Sequence, residues 1–128
     1  MRRLAALLLA IGIAGCTASP VTTGQRFPVF FRSFSTQLDA NAQAAVASAT
    51  TWARRYPSAT VTVVGYADPR ANRQMNEELA MRRARSVTDL LVRDGVPPGR
   101  IKPGIGDATL LPLSAQADRR VDISFGPP

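Results

Sequence analysis

Histidine is absent from this chain of 128 residues, and Cys16 is its single cysteine. These absences remove imidazole and thiol-pair chemistry. The acids form no metal-ligand cluster and no paired-carboxylate pattern, and no serine or lysine nucleophile motif is present. Catalysis is therefore not expected, nor is a cofactor or a metal. One cysteine permits no disulfide within the chain. Lysine is nearly missing too, since fifteen of the sixteen bases are arginine and Lys102 is the exception. Aromatic residues make up 6% and form no stacking series of the kind that grips single-stranded nucleic acid. The formal charge of +7 invites a nucleic-acid reading, but Arg2 and Arg3 lie in the N-terminal leader and the other bases are scattered, not clustered as phosphate binding requires. No apolar run reaches the ~20 residues of a membrane-spanning helix.

What remains is globular in composition, with 45% apolar and 20% charged residues, and long enough for one modest core. At the N-terminus Met1-Arg2-Arg3 precedes ten predominantly apolar residues, Leu4 to Ile13, and then Ala14-Gly15-Cys16. A charged start and a short apolar run describe an export signal. Ile13-Ala14-Gly15-Cys16 resembles the bacterial lipobox, which implies a signal peptide over residues 1–15 and lipidation at Cys16. An ordinary signal with an incidental thiol, or a short hydrophobic anchor, are the alternatives. Several acyl chains on one residue give stable membrane attachment where a single chain does not. No aspartate stands second after the cysteine, and the resemblance to sorted lipoproteins then implies the outer membrane, periplasmic side. Residues 16–26, polar and small with Pro20 and Gly24, form a tether that reaches about 40 Å at most.

The folded domain is expected over residues 27–128. Phe27 to Phe34 is aromatic-rich and read as containing the first strand, which Pro28, unable to donate to a ladder, restricts to an edge or to a strand start. Leu38, Ala42, Ala45, Ala49, Trp52 and Tyr56 recur at helical spacing, with Asp39 as the N-cap and Pro57 as the stop. Thr60 to Tyr66 has the β-branched enrichment of a buried strand. A second helix is predicted from Asn72 to Asp94, stopped by Gly95 and Pro97-Pro98, with Asn76, Ala80, Arg83, Ala84, Val87 and Leu91 on one face. Arg100 to Ile105 gives a strand that Pro103 restricts to an edge or irregular position, and Arg120 to Phe125 a cleaner last one. The order β-α-β-α-β-β implies an α+β fold, one mixed sheet covered on one face by two helices.

Asp68 closes the second strand and Arg83 lies fifteen residues on in the following helix, so one pocket can present both charges to a zwitterion. The segments Val63-Val64-Gly65-Tyr66-Ala67-Asp68, Asn76-Glu77-Glu78-Leu79-Ala80, Arg82-Arg83-Ala84, Gly95-Val96 and Asp118-Arg119-Arg120-Val121-Asp122-Ile123 resemble the OmpA-like C-terminal domain, of which the peptidoglycan-associated lipoprotein is one type. The resemblance implies noncovalent binding of the diaminopimelate side chain of peptidoglycan, by Asp68, Asn76, Arg83 and Arg119. The chemistry agrees: a carboxylate accepts from an ammonium, a guanidinium fork receives a carboxylate, and an asparagine amide both donates and accepts. The first turn of the second helix is expected to add N–H groups near the anion. Arg82 points about 100° away from Arg83 and is read as a surface charge.

Three departures from the family pattern bear on affinity: Ala67 where threonine is frequent with Ala71 where glycine is, Asp118 in place of asparagine, and a stretch from Gly106 to Ala117 that is short for the loop that often borders the pocket. An Asp68–Arg83 salt bridge that merely pins strand to helix is the competing structural reading, and for Arg119 it is simple solvation. At the level of function, the alternative to a wall-binding outer-membrane lipoprotein is a structural or assembly factor of an envelope complex. Such a factor would use the same fold to hold protein partners, with weak or no wall binding.

Overall fold

The computed structural model describes residues 24–68, 70, 72–110 and 117–126. The signal, Cys16, most of the tether and Ala71 lie outside them. Four strands and two helices follow in the order β1 (Arg26–Phe30), α1 (Ala40–Arg55), β2 (Val61–Ala67), α2 (Arg73–Arg93), β3 (Ile101–Asp107) and β4 (Arg120–Phe125). The sheet order is β1-β4-β2-β3. β4 runs antiparallel to both its neighbours and β2 pairs in parallel with β3, so the sheet is mixed, as expected. Pro28 and Pro103 both fall on edge strands, where a missing N–H costs the ladder least.

α1 starts where Asp39 accepts from the Ala42 backbone N–H at 2.8 Å. α2 starts at Asn72, whose side chain accepts from the Met75 N–H. It stops at Gly95, which takes the left-handed conformation (φ 105°) while Val96 N–H returns to the Leu91 carbonyl at 3.0 Å. β1 ends at Phe30, inside the aromatic stretch, and Phe34 beyond it sits at φ 58° and 87% exposed. Among the described residues no helix is long and apolar enough to cross a membrane.

The helices bury one face of the sheet. Val46, Ala49 and Ala53 from α1, Val87 and Leu91 from α2, and Val29, Val61, Val63, Val121 and Ile123 from the strands are all sealed from solvent. On the opposite face Asp122 is also buried, with Arg120 Nε 2.9 Å from its Oδ1 and the Arg120 guanidinium over the Tyr66 ring.

The abundance of arginine acquires a physical meaning here. Arg100 donates to the carbonyls of Ala53, Tyr56 and Ala59 at 2.8–3.1 Å, and so satisfies the end of α1 and the turn that leaves it. Arg54 does the same for Asp94 at the end of α2, at 2.6 Å. A guanidinium fork can serve several carbonyls at once, where an ammonium is a single point, and a cation also suits a helix C-terminus. Arg100→Ala is expected to lower stability by about 2–3 kcal/mol, because its four hydrogen bonds to three carbonyls are lost. Chemical denaturation should register this as a lower midpoint with an unchanged slope.

Candidate functional site

At the C-terminal end of β2 the chain turns into α2, and a cleft with about 100 Å³ of water-accessible space opens there. Three stretches far apart in sequence wall it. Ala67 and Asp68 come from the end of β2, Asn76, Leu79 and Arg83 from one face of α2, and Asp118 and Arg119 from the turn before β4; Ser33 and Phe34 complete the rim from the loop after β1. Asp68, Asn76, Arg83 and Arg119 therefore share one cavity. Arg82 is exposed on another face.

Arg83 is the anchor of the cleft. It is only 2% exposed, yet among the described residues no carboxylate pairs with it. Its Nε donates to the Ser35 carbonyl (2.8 Å), Nη1 to that of Asp118 (3.1 Å) and Nη2 to that of Arg32 (3.0 Å), and its guanidinium lies 5.3 Å from the centre of the Phe31 ring. Burial lowers its pKa, an effect that the Asp118 charge opposes and the Arg119 charge reinforces. An arginine stays cationic all the same. Of five N–H donors three are spent on carbonyls, which leaves two for a ligand. The Asp68–Arg83 salt bridge considered from the sequence is not formed.

Asp68 has a different partner. Its carboxylate accepts from the Arg70 backbone N–H (2.8 Å), from Arg70 Nε (2.9 Å) and from Arg70 Nη2 (2.9 Å). These bonds hold its pKa below 3.8. Asn76 donates from Nδ2 to the Asp68 carbonyl (2.8 Å) and to the Arg70 carbonyl (3.3 Å), and so fixes the turn from α2 while its amide oxygen stays available as an acceptor. Arg119 Nη1 donates to Ser33 Oγ at 3.0 Å, which ties the two rims together.

The first turn of α2 contributes less than expected. The helix lines the cleft from Asn76 onward, and the Asn72 side chain takes up one of the terminal N–H groups. Ser33, Phe34 and Leu79 were not foreseen as wall residues. For Phe34 the signal would have been conformational, because a non-glycine residue at positive φ is rare outside built sites, and one sequence carries no trace of it.

The fold and cleft define an α+β module with both signs of charge at the end of its second strand. The chain belongs to the OmpA family, whose model matches residues 30–123. It is 39% identical over 98 residues to the peptidoglycan-associated lipoprotein of Agrobacterium fabrum, covering 72% of this chain and 55% of that protein. The chain thus spans about half the length of the curated relatives it matches. Among solved structures, the OmpA-like domain of FopA1 from Francisella tularensis superposes with a TM-score of 0.68 at 21% identity, covering 80% of this chain and 72% of that one. The peptidoglycan-associated lipoprotein from Burkholderia pseudomallei gives 0.65 at 21%, covering 77% and 88%. At that identity the superpositions establish the fold.

Proposed function

We propose that this domain binds diaminopimelate-type peptidoglycan noncovalently, and that the chain is an outer-membrane lipoprotein, anchored through Cys16 on the periplasmic side, that links membrane to wall. Residues 1–15 then act as signal, residues 16–26 as lipidated tether and residues 27–128 as the binding domain. The observation that carries the reading is a buried guanidinium that has no carboxylate partner among the described residues, lining a cleft that also holds an aspartate. Burying a cation costs far less when an anion joins it, so Arg83 favours a ligand carboxylate strongly. Arg119 adds a second positive charge on that side. Asp68 and the Asn76 amide oxygen suit the ammonium borne by the same carbon of the ligand. No bond is made or broken, and the chain acts as a clamp.

A second reading, a structural or assembly factor with little wall affinity, draws support from the engagement of Asp68 by Arg70 and from Asp118 on the rim. Sedimentation with purified diaminopimelate-type sacculi separates the two. Cys16→Ser protein, which cannot be acylated, is expected to co-sediment, and Asp68→Ala to weaken binding by about tenfold or more. A lysine-type wall, which lacks the side-chain carboxylate, should bind less. Failure of the parent to sediment, or equal retention of Asp68→Ala, would favour the assembly factor.

Acidity offers a further check. A carboxylate whose pKa is depressed in the folded protein contributes its stabilisation above its unfolded value and loses it as pH falls through the folded value. For Asp68 that window lies below 3.8. Retention on sacculi is therefore expected to hold from about pH 8 down to about pH 5 and to fall only below about pH 4, where Asp68 and the ligand carboxylate take up protons.

A further inference from the structure

We infer that Arg70 is a built-in competitor for the ammonium of the ligand, holding its position on Asp68 until a cationic group of the ligand takes its place. The inference rests on the wall-binding reading above. Every hydrogen bond of the Arg70 guanidinium ends on one carboxylate, and its side chain is 74% exposed, against 24% for Asp68. It can therefore leave without uncovering anything buried. The charges of Asp118 and Asp107 also favour a cation at the spot that its guanidinium occupies. That spot suits a cation, and the chain supplies its own.

The turn need not move with the side chain. Asn76 holds the carbonyls of both Asp68 and Arg70, so the backbone stays in place while the guanidinium swings into solvent. An exposed pair of this type holds its partner by at most about fivefold. A ligand ammonium can exceed that when the carboxylate on the same carbon is secured by Arg83. A ligand with carboxylates alone cannot: it reaches Arg83 and Arg119 but has nothing to exchange for Arg70. The pair thus lowers the affinity for zwitterions and leaves that for simple anions unchanged, which narrows the margin between them.

The test uses Cys16→Ser protein, with free diaminopimelate and the amine-free diacid pimelate as probes, followed by NMR titration. Arg70→Ala should bind diaminopimelate about two- to fivefold more tightly than the parent and gain nothing for pimelate, while Asp68 titrates closer to 3.8 than in the parent. Arg70→Lys should restore the parent affinity in large part. Equal or weaker diaminopimelate binding by Arg70→Ala, an equal gain for pimelate, or an Asp68 titration unmoved by the substitution overturns the inference and leaves wall binding intact. If parent and variant both ignore diaminopimelate and sacculi, the wall-binding reading and this inference fall together.

Discussion

Arg83→Lys, which keeps the charge, is expected to lower stability by about 2–3 kcal/mol and to weaken retention on sacculi by more than about tenfold. The arginine serves three carbonyls from three different nitrogens, and they belong to two separate loops. An ammonium on a single stem cannot reach all three, so some of these part-buried carbonyls lose the bond that the guanidinium gave them. It also offers a ligand carboxylate no planar fork. The loops after β1 and before β4 are held to α2 by these bonds, and both supply cleft residues. The binding loss should thus exceed the removal of one contact. Arg83→Ala is harsher still and confounds the two effects, so lysine is the more informative change. Denaturation and sedimentation on the same preparation separate them: a variant that is folded at the assay temperature and still fails to bind has lost the fork. Parent-like stability would mean that the three carbonyl bonds contribute little, and parent-like binding would remove Arg83 from the ligand contact.

Gly65→Ala is expected to destabilise the domain by about 3 kcal/mol or more, the upper range for overpacking. α2 crosses β2 so closely at this point that a β-carbon on residue 65 would lie 2.9 Å from the Ala80 carbonyl carbon and closer still to its oxygen. Backbone meets backbone there, and no rotamer can relieve it. Separating helix from strand would also pull on Ala84, Val87 and Leu91, which pack beneath the same helix. For a domain of this size each kcal/mol shifts Tm by about 4–8 °C, so a drop of more than about 12 °C should appear in a thermal scan. Gly99→Ala is the control, because a β-carbon there meets nothing within 4 Å, and a change within about 0.5 kcal/mol is expected. A Gly65→Ala protein as stable as the parent would show that α2 can shift without loss.

The helices and β4 were the most legible elements, and for a local reason. Asp39, Asn72 and Gly95 act on backbone groups within four residues of themselves, and an amphipathic face repeats within one turn. Pro28 and Pro103 likewise announced edge strands through the donor they lack. The end of β1 was not legible, because Phe31 reads like a strand residue. It is buried, at 5% exposure, but its ring is occupied with Arg83, beyond the last ladder position. Burial and strand pairing leave the same mark on a sequence.

By itself the sequence determined the α+β order, the helix limits, the family resemblance and the grouping of Asp68, Asn76 and Arg83, because helical phase and short spacings are local quantities; Arg119 joined them through the resemblance alone. Only the tertiary structure decided what those side chains touch. Arg83 binds carbonyls 48, 35 and 51 residues away, and Asp68 turns to Arg70 instead of to Arg83. Every residue carries a backbone carbonyl, so the acceptors that hold Arg83 have no side-chain signature, and the folded chain alone brings them within reach.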